Sequence, residues 1–240
     1  MASKPTTGSI LIASISKILL ESLLVLGLLL GCTSPPQIYS TTQHEALALD
    51  GPDLRQGGLA ILTPDTVLTR NEDKQSLALV VADILKQERP DIRCLGLPET
   101  LNRINHADLS NEYRQMRVNY QESGLFPKPL LQQIGKAIGT RYVVQLKLAG
   151  FEQSFDTRLS IFGLRLLATK YANMRLFMQI WDTETATIAW EGLEESNYAF
   201  DTGTEKSIPF KTIVEETTRS LIVRLPGSSS TPPQGVSDTP

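Results

Sequence analysis

The chain has 240 residues, with 23 basic and 26 acidic side chains and a formal net charge of −3. This balance, without a basic block, gives no indication of a nucleic-acid partner. Cys32 and Cys94 are the only two cysteines, so a disulfide framework is excluded if one of them carries another group.

The first 31 residues have the pattern of an export signal. Lys4 and Lys17 precede an apolar run, residues 22–31, that stops at Cys32. The run is shorter than the roughly 20 residues that a membrane-spanning helix needs, and the chain turns polar immediately after it. We therefore predict that residues 1–31 are a lipoprotein signal peptide that is removed from the mature protein.

The four residues Leu29-Leu30-Gly31-Cys32 resemble the lipobox of bacterial lipoproteins. In that motif a small residue before the cysteine lets the peptidase approach, and the thiol then receives diacylglycerol. The resemblance implies lipidation at Cys32, and two or more acyl chains would make the membrane anchor stable. Thr33 follows the cysteine, where Asp would favour inner-membrane retention, so we expect the periplasmic face of the outer membrane. The alternative is an ordinary secretory signal or an amphipathic anchor that ends near a cysteine.

Composition divides the rest of the chain into three segments. Residues 32–57 are polar, contain Pro-Pro, Gly-Pro and Gly-Gly pairs, and are predicted to be a flexible tether. Residues 58–226 are long enough for one folded domain of ordinary size. Residues 227–240 are poor in apolar side chains and are predicted to be a disordered tail.

The first half of the domain alternates short strands with helices. Leu59–Leu62 and Ile92–Leu97 are predicted strands, residues 98–123 are helix-rich, and Pro129–Ile138 forms a further helix. The clearest helix is Lys74–Glu88, which ends just before a proline. Its apolar residues recur at helical spacing and predict one buried face: Leu77, Val80, Val81, Ile84 and Leu85.

The second half changes to a period of two. Apolar residues alternate along Tyr142–Leu148 and Met174–Ile180, which predicts strands with one wetter face. The polar connection Asp182–Thr185 leads to a third strand, Ile188–Trp190, so an antiparallel hairpin is expected. A helix over residues 213–225 closes the domain, giving the order β-α-β-α-α-β-β-β-α.

No metal or cofactor site is indicated. His44 lies in the predicted tether and His106 near a helix end, without further ligands at suitable spacing. No phosphate-binding glycine loop opens a helix after a strand. Cys94 stands in an apolar stretch, where a free cysteine is usually a small buried hydrophobe.

Catalytic residues are also not indicated. No G-x-S-x-G nucleophile motif occurs, and Asp182 and Glu184 fit turn chemistry better than acid/base chemistry. The remaining acidic pairs are predicted to be solvated: Glu194, Glu195, Glu215 and Glu216. Four strand aromatics are predicted to lie in the core or in cross-strand pairs, with a partner-binding patch as the alternative: Phe151, Phe155, Trp181 and Trp190.

Two stretches resemble a known family. The first runs from Ser123-Gly-Leu-Phe126 into Ile134-Gly-Lys-Ala-Ile-Gly-Thr-Arg-Tyr-Val-Val144, and the second is Met174–Trp190 with its Trp-Asp-Thr-Glu-Thr turn. Together they resemble the family of the curli secretion lipoprotein CsgG, whose relatives include LpoB-like activators and the amino-terminal domain of TolB. The resemblance spans roughly residues 58–225. Gln145 stands where a glycine is common in the family, and Ala186 where the turn glycine is common.

The resemblance implies an α/β sandwich with a mixed sheet, similar in fold to anticodon-binding domains. It implies no shared catalytic residues, since members bind envelope proteins or self-assemble. The function expected is therefore a lipid-anchored, non-catalytic binding or assembly module, with an unidentified envelope protein as partner and a possible homo-oligomer. The alternatives are a CsgG-like oligomeric secretion pore subunit and an envelope enzyme.

Overall fold

A computed structural model describes residues 37–67, 71–161, 164–202, 209–228 and 236–238. The predicted signal peptide, Cys32 and most of the predicted tail lie outside these residues. Among the helices of the described ranges, none is both long and apolar enough to span a bilayer.

Helices and strands occupy most of the described chain. The strands are β1 (Gln37–Ala46), β2 (Leu59–Ile61), β3 (Asp65–Thr66), β4 (Cys94–Leu95), β5 (Tyr142–Ile161), β6 (Leu164–Asp182), β7 (Thr187–Thr202) and β8 (Val236–Asp238). The helices are α1 (Gly51–Gly57), α2 (Asn71–Glu88), α3 (Leu97–His106), α4 (Ser110–Ser123), α5 (Lys128–Ile138) and α6 (Phe210–Ile222).

All eight strands belong to one mixed sheet. The strand order is β4-β2-β5-β6-β7-β1-β8, and β3 pairs with β5 beyond the end of β2. Strands β5, β6, β7 and β1 are antiparallel neighbours, whereas β2, β3 and β4 run parallel to their partners. The predicted hairpin of β6 and β7 is confirmed, and the molecule is a single α/β domain.

Helices pack on both faces of the sheet. The first face carries the larger apolar core, which includes Leu77 and Val81 of α2 and Ile213 and Leu221 of α6. The second face carries a smaller core between α3, α4, α5 and the strands β2, β5 and β6. Its central residues are Ala60, Val143, Ile104, Met116, Ile134 and Trp181.

The predicted buried face of α2 is confirmed, because the five residues assigned to that face are all buried. Glycines end two helices on the second face. Gly124 has φ 73° after α4 and Gly139 has φ 71° after α5, a left-handed conformation that glycine adopts without a Cβ penalty. The sequence placed Gly139 correctly as the end of that helix.

Four features differ from the predicted element order. The helix-rich stretch is divided into α3 and α4, and the short strand β3 follows β2. Two elements precede the predicted domain, and the strand β8 follows it. The strands β5, β6 and β7 also extend well beyond their apolar alternation. Beyond Leu148, β5 and β6 continue to pair from Gly150 with Arg175 to Ile161 with Leu164, in segments that mix apolar residues with charged ones.

The predicted tether is wrong over residues 37–57. Strand β1 pairs with β7 over ten residues, from Gln37 with Ala199 to Ala46 with Trp190. Helix α1 follows, with the Asp50 carboxylate accepting a hydrogen bond from the backbone N–H of Asp53 at 2.7 Å. In the predicted tail, Val236–Asp238 pairs with β1 as β8, so these three residues are ordered as a strand.

The turn between β6 and β7 confirms the predicted role of Asp182. Its Oδ1 accepts hydrogen bonds from the backbone N–H groups of Glu184 at 2.8 Å and Thr185 at 3.3 Å. Ala186 has φ 60°, the conformation for which glycine is favoured. A glycine at position 186 would adopt this conformation without a Cβ penalty.

Candidate binding surface

The two stretches that carry the family resemblance meet in space. Gly135 of α5 lies against Thr183 of the β6–β7 turn so closely that a Cβ on Gly135 would overlap the Thr183 side chain. Nearby, the Arg141 guanidinium contacts the Asp182 carboxylate at 2.9 Å and the Asp53 carboxylate at 3.1 Å. Arg141 therefore joins α1 and β5 to the turn after β6.

An open polar cleft of about 630 Å³ surrounds this joint. Two of the basic side chains that line the cleft form contacts within the fold. Arg93 donates to the Gly139 carbonyl at 2.7 Å, and Arg141 is paired with carboxylates. Among the described residues no group of three His, Cys, Asp or Glu side chains could hold a metal ion. The geometry of the cleft is that of a structural joint between the two motif stretches.

A second polar network lies under α4 on the second face. The Tyr120 hydroxyl donates to Gln179 Oε1 at 2.9 Å, the Trp181 indole N–H donates to the same oxygen at 3.2 Å, and Gln179 Nε2 donates to Glu191 at 2.7 Å. Burial raises the pKa of Tyr120 to about 12, so its hydroxyl stays protonated as a donor. This network marks the edge of the area that the helices cover.

Beyond this network the second face is open. Side chains at alternate positions of β5, β6, β7 and β1 point away from the larger core, and the smaller core under α3, α4 and α5 does not include them. We call this surface the open face. It consists of Lys147 and Glu152 on β5, Asn173, Arg175 and Phe177 on β6, Leu193, Glu195 and Asn197 on β7, and Tyr39, Thr41 and Gln43 on β1.

The open face has an apolar centre and a polar surround. Phe177 and Leu193 are paired directly across β6 and β7 and are only partly buried. Around them, Arg175 and Glu195 form an ion pair at 3.7 Å with half-exposed side chains, and Asn173 donates to Asn197 at 2.7 Å. An apolar centre with a hydrogen-bonding rim is the arrangement found in protein–protein interfaces.

The prediction that Glu194 is solvated is wrong. Its side chain is fully buried on the first face, between β1 and α6. The Thr42 hydroxyl donates to its carboxylate, and Ser196 contacts it at 3.4 Å. Burial raises the pKa of Glu194, because a carboxylate loses hydration there. Glu195, Glu215 and Glu216 remain partly exposed as predicted.

The other residues singled out in the sequence are dispersed. His44 is exposed on β1 and His106 is exposed at the end of α3. Trp181 and Trp190 are buried in the two cores, which confirms the core interpretation over a surface patch. Phe151 is partly buried against Phe210, with ring centroids 5.1 Å apart, and the Phe155 side chain lies outside the described part. Among the described side chains, these residues do not form a shared site.

Cys94 confirms its sequence interpretation. The thiol is partly buried, and burial raises its pKa to about 11. A thiol with a pKa this high remains protonated near neutral pH and is a poor nucleophile.

No protein-family description matches this sequence, and no curated protein matches it. Structural comparison finds PelC from Paraburkholderia phytofirmans, solved as a dodecamer, at 9% identity and a TM-score of 0.42, covering 80% of this chain and 99% of that one. A lipoprotein from Neisseria meningitidis is 10% identical, with a TM-score of 0.36, and the match covers 69% of this chain and 95% of that one. A PDZ domain protein from Parabacteroides distasonis is 9% identical, with a TM-score of 0.33 and coverages of 82% and 38%. Likenesses at this level do not assign a function.

Proposed function

We propose that this chain is a lipid-anchored lipoprotein of the bacterial cell envelope that acts as a non-catalytic protein-binding or assembly module. The anchor is lipid on Cys32, and the mature protein resides on the periplasmic face of the outer membrane. The binding surface is the open face, and an envelope protein is its partner.

The observation that carries the binding role is the half-covered sheet. Three helices bury the end of the second face nearest β2. In the part of the chain that the structure describes, the smaller core does not extend over the rest of that face on β5, β6, β7 and β1. At its centre, Phe177 and Leu193 leave apolar surface in contact with water. Covering that surface with a partner would be favourable by roughly 25 cal/mol for each Å² removed from water.

The contacts of the following polar groups support a non-catalytic role. Arg141 and Asp182 hold a turn, Tyr120 and Gln179 join a helix to the sheet, and Glu194 lies under α6 without access to solvent. A reaction needs its acid, base or nucleophile where a substrate can reach it. In the described residues these polar groups instead connect elements of the fold.

Photo-crosslinking in cells tests the binding surface. Replacing Phe177 with a photoreactive phenylalanine analogue keeps an aromatic ring at the centre of the open face. We expect one discrete adduct with an envelope protein, and we expect Leu193→Asp to abolish that adduct because it places a charge beside the apolar contact.

The matched control is the same analogue at Leu79 of α2. Leu79 is 58% exposed on the helix that covers the opposite face, so it should give no adduct with that protein. Equal labelling from both positions, or an adduct that survives Leu193→Asp, would reject the open face as the binding surface.

A further inference from the structure

Strand β1 leaves one of its edges largely unpaired. Its inner edge pairs with β7 over ten residues. On its outer edge, the described pairing is limited to Ser40–Thr42, which run parallel to Val236–Asp238 of β8. A strand edge of this length presents backbone N–H and C=O groups that readily pair with another strand.

The composition of β1 does not protect this edge. Proteins commonly guard exposed edges with lysine, proline or inward-pointing charges. Residues 37–46 contain no lysine, arginine or proline, and Glu45 is their only acidic residue. The solvent-facing side chains near the middle are Thr41 and Gln43, which can form hydrogen bonds across a strand pair.

The position of β8 shows that this edge accepts a strand. The chain returns its own C-terminal segment to the middle of β1. Because β8 pairs with only three residues, the remainder of the edge has no strand partner among the described residues. The contact is therefore short enough to be displaced by a longer strand.

We propose that the outer edge of β1 is a self-assembly site, at which two copies of this chain pair antiparallel across a two-fold axis, and that β8 covers this site in the single chain. The pairing joins the two sheets into one. The inference rests on the assembly role proposed above, but it needs neither lipid on Cys32 nor a partner on the open face.

Symmetry limits the register of such a pair. A two-fold axis perpendicular to the sheet keeps both open faces on the same side. Because side chains alternate between the faces along a strand, the two strands then match only if one residue of β1 lies opposite its own copy, and the axis passes between that pair. Full overlap of the two strands centres it at Thr41 or Thr42. With the axis at Thr41, each Thr41 lies opposite Thr41 of the other copy. With the axis at Thr42, each Thr41 lies opposite Gln43 of the other copy. Glu45 meets its own copy in neither, so no like charges oppose the pairing.

Disulfide trapping tests this geometry. The double variant Thr41→Cys/Gln43→Cys places directly opposed thiols in either register, at the roughly 4.5–5.5 Å Cβ separation of cross-strand pairs. We compare the whole chain with a chain that ends at Ser228 and therefore lacks β8. Mild oxidation should give a covalent dimer, with a severalfold higher yield in the shortened chain.

The control is the double variant Glu195→Cys/Asn197→Cys. These residues are the register partners of Thr41 and Tyr39 on β7, one strand further from the axis. Two β7 strands would be about 14 Å apart in the pair, three strand spacings, which is too far for a disulfide. The control should therefore remain monomeric in both chain lengths.

A second measurement needs no cysteine. Light scattering of the shortened chain with an unaltered β1 should give a dimer mass, and Thr41→Lys/Gln43→Lys should return it to a monomer through repulsion across the axis. A monomeric shortened chain, a dimer that survives both lysines, or equal trapping in the β1 and β7 variants would overturn the assignment. Equal dimer yields with and without β8 would overturn its covering role. The crosslink from Phe177 is read separately and can succeed or fail independently.

Discussion

Gly135→Ala is expected to destabilise the protein by about 3 kcal/mol or more, because the new methyl group would overlap backbone-proximal atoms of Thr183. This loss of stability is opposite in sign to the effect that helix propensity alone would give. At an unhindered position inside a helix, Ala is more favourable than Gly by about 1 kcal/mol. The Thr183 atoms in the way belong to a buried side chain on a short turn, which cannot move aside without disturbing Asp182. Urea unfolding followed by circular dichroism measures the change.

Gly150→Ala is the matched control for this substitution. A Cβ at Gly150 would lie 3.9 Å from the nearest Arg175 atoms, an ordinary contact, so its effect should stay below about 1 kcal/mol. Adding Thr183→Gly to Gly135→Ala should recover part of the loss, since it removes the atoms that the methyl group meets. An unfolding midpoint for Gly135→Ala equal to that of the parent chain would show that α5 and the turn are not in contact.

Val81→Asp is expected to prevent stable folding. Val81 is fully buried, and it belongs to the larger apolar core between α2 and the sheet. An unpaired buried charge costs about 4 kcal/mol or more, a large share of the roughly 5–15 kcal/mol that stabilises a domain. The far-ultraviolet spectrum should lose its folded signal, and no cooperative melt should remain.

Leu79→Asp separates burial from helix propensity. Leu79 lies two residues earlier in the same helix and is 58% exposed, so the same aspartate there pays a similar helix cost but remains hydrated. We expect a cooperative melt within a few degrees of the parent chain. If both variants melt alike, the face of α2 that carries Val81 does not pack on the sheet.

Elements with a strong apolar period were predictable from the sequence. Helix α2 repeats apolar residues at helical spacing, and the central parts of β5 and β6 alternate them, because each buries one face against a core. The turn at Asp182 was also predictable, since an aspartate side chain can satisfy nearby backbone donors. The local chemistry in these segments agrees with the final fold.

The missed strand and the misjudged Glu194 have one cause. The core-facing residues of β1 include Ser40 and Thr42, and both are buried. They are polar because the residue beside them on β7 is the buried Glu194 carboxyl, which accepts a hydrogen bond from Thr42. A strand that buries hydroxyl groups has no apolar alternation, so the sequence of β1 looks like a linker. Asp50 at the N-cap of α1 and Pro52 in its first turn were the local signal of structure in that segment.

The open face could not be predicted from the sequence. Alternation in β6 shows which residues lie opposite the larger core, but whether a helix covers them depends on where α4 and α5 dock. Those helices pack against β2 and the nearer ends of β5 and β6, which leaves Phe177 and Arg175 beyond their reach. The candidate surface is a product of tertiary packing.

The central claim, a protein held at the membrane by lipid on Cys32, is tested most directly by metabolic labelling with a fatty-acid analogue. The chain's two cysteines provide the experiment and its control. We predict full labelling of the parent chain and of Cys94→Ser, and complete loss of label in Cys32→Ser, because a serine hydroxyl cannot form the thioether that carries the lipid. Full labelling of Cys32→Ser, or loss of the label in Cys94→Ser, would contradict the account.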